Sequence, residues 1–136
     1  METYDLKAIG LLTTFEKITR THVKTMMTDS RGQLVFVVAE GEAGKAIGKS
    51  GMHVRRLQHL MKKPLRVVEF YQDPKVFIKK YLAPVQPDTI TITDQVMTLA
   101  SASAKTKGML IGRAKQKLRE INELMSRLFK LKVMIA

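Results

Sequence analysis

The sequence predicts an α+β fold built from one small unit, α-β-β-α-α-β, that occurs twice in 136 residues. Three observations predict it. The chain overlays on itself, helical and strand-like apolar patterns follow one another in the same order in both copies, and a glycine-led loop separates two helices at matching places. With only two copies this is a duplicated supersecondary unit and not a solenoid.

The overlay sets Gly44 to Met61 on Gly108 to Met125. Ile47 falls on Ile111, Gly48 on Gly112, Lys49 on Arg113 and Arg55 on Arg119. Apolar positions match too: Val54 with Leu118, Leu57 with Ile121, Leu60 with Leu124. Small shifts extend the match to Leu65–Val68 on Leu131–Met134 and to Val35–Ala39 on Val96–Ala100.

Each element then has its own reason. Leu6, Ile9, Leu12, Phe15 and Ile18 have the spacing of a first helix. In the second copy Asp73-Pro74 starts the helix, because aspartate caps free amides and proline tolerates the first helical position. That helix carries Val76, Phe77, Tyr81 and Leu82 and stops before Pro84. Strands are predicted at Val23–Thr28 and Leu34–Ala39 around Asp29-Ser30-Arg31-Gly32, and at Thr89–Thr93 and Val96–Ala100 around Asp94-Gln95. A short helix, the loop and a longer helix follow. The stripes Val54, Leu57, Leu60, Met61 and Leu118, Ile121, Leu124, Met125, Leu128 are read as core faces of the longer helices. Leu65–Phe70 and Leu131–Ile135 close the units as strands. Domains are expected at residues 1–72 and 73–136, joined near Tyr71-Gln72, a connection too short for independent tumbling.

Charge is the strongest global signal. Lysine and arginine number 24 against 12 aspartate and glutamate, a formal net charge of +12. Both copies share the excess, with 12 basic groups against 7 acidic in residues 1–72 and 12 against 5 in residues 73–136. Such a field concentrates polyanions at the surface. Without cysteine there is no disulfide, thiolate zinc site or thiol nucleophile. His22, His53 and His59 form no metal-ligand spacing, and no acid, base and nucleophile converge in the pattern. The expectation is a binding protein and not an enzyme, without metal, cofactor or small-molecule substrate. No apolar run approaches the ~20 residues of a membrane span, so a cytoplasmic protein is expected.

The chemistry concentrates in EAGKAIGKSGMHVRRLQ. Glycines at both ends of Gly48-Lys49-Ser50-Gly51 allow a sharp turn and a close approach by a sugar-phosphate backbone. Amides at the start of the next helix favour an anion, and Lys49 adds a mobile positive charge. Arg55 and Arg119, about one turn further on, are placed to reach phosphate. A nucleotide-hydrolysing phosphate loop needs GxxxxGK[ST], which the chain lacks. In the second copy the loop reads Gly112-Arg113-Ala114-Lys115. Its lysine adds charge but removes the second Cβ-free position, which implies a different backbone path there.

The unit order with "IGKSG" between helices resembles a type II KH domain, and two such units resemble the archaeal NusA-like family of transcription termination and antitermination factors. "FVVAEGEAGKAIGKSGMHVRRLQ" and "GMLIGRAKQKL" carry most of the match. The resemblance implies that single-stranded RNA is gripped at the loops. The implied RNA-binding residues are Lys45, Ile47, Gly48, Lys49, Ser50, Gly51 and Arg55 in the first copy. Gly112, Arg113, Ala114, Lys115 and Arg119 are their counterparts in the second. It also implies a role in transcription beside RNA polymerase. A ribosome-associated or ribosome-assembly protein using the same modules is the open alternative.

Overall fold

The computed structural model describes residues 5–136, which fall into two compact units meeting between Tyr71 and Gln72. Residues 1–4 of the expected first domain lie outside the described residues. The first unit runs α1 (Leu6–Thr19), β1 (Val23–Thr28), β2 (Leu34–Val38), α2 (Ala43–Ile47), α3 (Met52–Met61) and β3 (Leu65–Glu69). The second runs α4 (Pro74–Leu82), β4 (Thr89–Thr93), β5 (Val96–Ala100), α5 (Ala104–Ile111), α6 (Gln116–Phe129) and β6 (Lys132–Ile135). The predicted α+β class and element order are both present.

Local chemistry sets the helix starts. Asp5 caps α1, its Oδ1 accepting from the Ala8 amide at 2.7 Å. Asp73 caps α4 by accepting from the Lys75 amide at 2.9 Å, with Pro74 in the first turn where its missing N–H is not needed. Ser103 caps α5 through the Thr106 amide at 3.2 Å.

Each unit holds one three-stranded sheet, ordered β1-β2-β3 and β4-β5-β6. The first pair in each is antiparallel and the second parallel. Antiparallel strands need only a tight turn. Asp29 makes one by accepting from the Arg31 and Gln33 amides, both at 2.9 Å. Asp94 and Gln95, both with positive φ, make the other as a two-residue hairpin turn. A parallel pair needs a long crossover, and the helices α2–α3 and α5–α6 supply it. The loop between each helix pair is therefore the reversal point of the crossover.

In the first unit Phe15 stacks on Phe36 at 4.1 Å between ring centres, within a cluster holding Val23, Met26, Leu34, Val38 and Leu65. Ala46 of α2 and Leu57 of α3 join that cluster, which fixes the loop-bearing helices on the sheet. Fully burying a side chain the size of Leu57 contributes roughly 1.5–3 kcal/mol, and Ala46 contributes less. In the second unit Ile121, Leu124 and Met125 of α6 are buried, as are Leu110, Met97, Leu99 and Val133. Asn122 ties α6 to β6, its Oδ1 accepting from the Val133 amide at 2.8 Å and its Nδ2 donating to the Val133 carbonyl at 3.0 Å.

Leu60 departs from its expected core role and is 52% exposed. The reason is angular. Successive helical residues are about 100° apart, so Val54, Leu57 and Met61 fall within about 60° while Leu60 stands about 60° to the other side. Along α6 the buried arc is wider and takes in both Leu124 and Glu120.

Candidate nucleic-acid interface

The first loop begins at Gly48, with φ 80° and ψ 166°. A Cβ built there would stand 2.8 Å from His53 Cγ and 3.0 Å from the His53 amide nitrogen. Glycine is thus required both by the left-handed φ and by space. Gly48 N donates to the Gly44 carbonyl at 3.0 Å, and Gly51 N donates to the Gly48 carbonyl at 3.0 Å. Ser50 and Gly51 follow with φ of 54° and 74°, so the chain makes two left-handed steps before entering α3. For serine such a step costs about 1 kcal/mol. The Arg55 guanidinium donates to the Ser50 carbonyl and braces the strained residue from α3. His53 Nδ1 lies 3.0 Å from the Lys45 carbonyl, joining α3 to α2 across the loop; facing an acceptor, Nδ1 carries the proton.

Lys45, Ile47, Lys49, Ser50 and Arg55 are exposed around the loop, with Gly48 and Gly51 half-buried. Glu69 accepts from the Ala43 amide at 3.2 Å, which anchors the start of α2 to β3. The Tyr71 hydroxyl also donates to Glu69, which raises the phenol above the ordinary tyrosine range, with burial and the Glu69 and Glu40 charges adding to the effect.

The second loop follows the same path. Gly112 has φ 75° and ψ 171°, Ala114 φ 52° and Lys115 φ 62°. Lys115 N donates to the Gly112 carbonyl at 3.2 Å, matching the bond from Gly51. The altered path expected from a lysine in the fourth position is therefore corrected: the backbone keeps its shape and Lys115 adopts the left-handed conformation. Space explains why. A Cβ on Gly51 would meet only the flexible tip of Arg55, at 3.3 Å, whereas a Cβ on Gly112 would strike Lys117 Cβ at 2.7 Å. Only the first glycine is hemmed in. Arg119 braces this loop as Arg55 braces the other, donating to the Ala114 carbonyl. Arg113, Ala114, Lys115 and Arg119 are exposed, and Gly112 is half-buried.

Both arginines thus spend part of their donor set on loop carbonyls, a role the sequence did not reveal. Sequence reasoning placed His53 just after the loop but read it as a surface histidine, and it missed Lys117 altogether. The readable signal was their shared place behind the first loop glycine of each copy. Lys117 Nζ lies 2.9 Å from Glu120 Oε2 and 5.2 Å from the centre of the Tyr81 ring. Glu120, 4% exposed, also accepts from the Tyr81 hydroxyl. A buried carboxylate therefore holds the residue that crowds Gly112.

The helices α1, α4 and α5 start with a side-chain cap; the short α2 has none, and neither do α3 and α6, which leave the loops. The Met52 and Gln116 amides donate back to the Lys49 and Arg113 carbonyls, and the amides that follow them have no side-chain acceptor, a disposition that suits a phosphate oxygen. Among the described residues no cluster of potential metal ligands occurs, and no helix is long and apolar enough to cross a membrane.

Two α-β-β-α-α-β units, each with a glycine-led loop between helices, define a tandem KH protein of type II. Known proteins narrow the class. The chain is 30% identical over 126 residues to "Probable transcription termination protein NusA" of Halobacterium salinarum, covering 90% of this chain and 89% of that one. It is 35% identical over 92 residues to the protein of the same name from Methanococcus vannielii. That match covers 68% of this chain, which spans about half the length of the relative (51%). A solved structure titled "Crystal structure of APE1850" superposes with a TM-score of 0.72 at 26% identity, covering 98% of this chain and all of that one. No family model matches the chain. The chain belongs to the archaeal NusA-like family of transcription termination proteins.

Proposed function

We propose that this chain is an RNA-binding factor of transcription termination or antitermination that clamps single-stranded RNA at Gly48–Gly51. The observation that carries the reading is the pair of uncapped helix starts behind basic loops, in a chain of net charge +12. In this reading a phosphate oxygen accepts from first-turn amides of α3 beyond Met52, Lys49 supplies the counter-charge, and Gly48 keeps the approach clear. Arg55 and His53 hold the loop rigid, so little ordering cost falls on binding. The loop Gly112–Lys115 serves as a second contact with Arg113 and Lys115 as its cations. No bond in the RNA is made or broken; the chain's work is to hold and orient a strand.

The names of the relatives support a place in transcription termination, and RNA polymerase is the partner this reading proposes. Titration of fluorescently labelled single-stranded RNA against the native chain and a Lys49→Asp/Ser50→Asp variant tests the clamp. Undiminished affinity in a folded variant overturns it. Affinity purification tests the setting: polymerase subunits support the transcription reading, and ribosomal particles in their place favour a ribosomal role.

A further inference from the structure

Within the second unit, one edge of the sheet carries none of the usual edge defences among the described residues. An outer strand offers a row of unpaired N–H and C=O groups, and proteins blunt it with charge, proline, a bulge or a covering element. In the first unit β1 is blunted. Its pairing with β2 shifts between Val23 and Thr25, Lys24 is exposed, and α1 lies against it. β4 has none of these devices. Thr89-Ile90-Thr91-Ile92-Thr93 pairs with β5 in five regular steps and contains neither charge nor proline. Every residue is β-branched, the composition that best suits an extended strand. Among the described residues β5 is the one strand that β4 pairs with, and Thr89, Thr91 and Thr93 are exposed. The helix carrying the second loop leans instead toward β6, at the opposite edge.

Charge says what would fit there. Of the second unit's five carboxylates, Asp73 caps α4, Glu120 is buried and Glu123 pairs with Arg127 at 2.6 Å. The remaining two, Asp88 and Asp94, bracket β4 at its two ends, both exposed. An otherwise basic molecule thus has an uncharged strand with an anion at each end. A second copy is a poor occupant, because antiparallel pairing of β4 with itself about Thr91 sets Asp88 against Asp94 twice. We propose that β4 is a docking edge for an extended segment of a partner protein, with β-branched residues at its centre and basic residues facing Asp88 and Asp94. Those basic residues would stand about 20 Å apart on the strand, about six residues. Within the second unit this edge is opposite the one against which the loop-bearing helices pack.

The test uses the whole chain, labelled with nitrogen-15, and a capped peptide Lys-Thr-Val-Thr-Val-Thr-Lys. Amide signals of residues 88–94 should shift on titration while those of Gly48–Gly51 and Gly112–Lys115 stay still. A peptide with Asp at both ends should bind about tenfold more weakly, as two lost charge pairs imply. An Asp88→Asn/Asp94→Asn variant keeps the oxygen that accepts from the Ala102 amide and a residue type at home in the turn. It should lose the preference for the lysine-ended peptide. The proposal is overturned by any of three results: no shift on β4, equal binding of both peptides, or shifts on β4 that follow protein concentration alone, which would make a second copy the occupant.

Discussion

His53 and Lys117 occupy the same post in the two units, each filling the space that a Cβ on the first loop glycine would need, at 2.8 Å from Gly48 and 2.7 Å from Gly112. The turn is moulded against the first turn of the following helix. The four loop residues are then not equivalent, although a sequence motif prints them alike.

Gly48→Ala should destabilise the first unit by at least about 2 kcal/mol, combining overpacking against His53 with left-handed strain. Gly51→Ala should cost less, about 1–2 kcal/mol of left-handed strain, because the one atom in the way is the flexible Arg55 Nη1 at 3.3 Å and Lys115 shows the backbone accepting a side chain. Urea unfolding of both variants measures the difference. Equal losses would show that the crowding at Gly48 does not govern the loop.

Reversing charge at the loop tips separates their contributions. Lys49→Asp/Ser50→Asp should weaken single-stranded RNA binding at least about tenfold without unfolding the chain, since both residues are exposed. Arg113→Asp/Lys115→Asp gives the matching figure for the second loop. A fluorescence-anisotropy titration of each reads its share directly.

Affinity should fall with salt. If about five phosphates are neutralised on a single strand, log affinity against log salt should have a slope of about −3 to −4. A flat dependence would remove backbone contact as the reason for the basic charge.

Glu120→Ala should cost about 3 kcal/mol, because it leaves the Lys117 ammonium and the Tyr81 hydroxyl without their shared acceptor. Tyr81→Phe removes one hydrogen bond to the carboxylate and should cost about 1.5 kcal/mol. Thermal unfolding ranks the two, and a smaller loss for Glu120→Ala would contradict the anchoring role.

Core position can be checked along α3. Leu57→Ala should cost about 2–5 kcal/mol, and Leu60→Ala within about 0.5 kcal/mol of nothing. Both are measured by the same denaturation.

The sequence made the strands legible at Val23–Thr28, Thr89–Thr93 and Val96–Ala100, where alternation and turn residues agree. It overran others by one residue. Leu131 donates its amide to Met125 at 3.3 Å and so belongs to the end of α6, a contact apolar pattern cannot disclose. The loops were legible as motif and spacing. What the sequence hid were the bonds of Arg55 and Arg119 to the loop carbonyls, because a rotamer decides whether a guanidinium faces solvent or its own chain. It hid the shape of the second loop too, since glycine is only the preferred left-handed residue and packing decides when another will serve.

The arginine braces end on carbonyl oxygens, and every amino acid has one. Whatever side chain stands at the third loop position, the guanidinium finds the same partner. The loop is in that sense a chassis with two exchangeable slots, and Ser50-Gly51 and Ala114-Lys115 are two fittings of it. Libraries at those four positive-φ positions that leave out proline and β-branched residues should yield folded proteins at high frequency, with altered ligand preference and unaltered architecture.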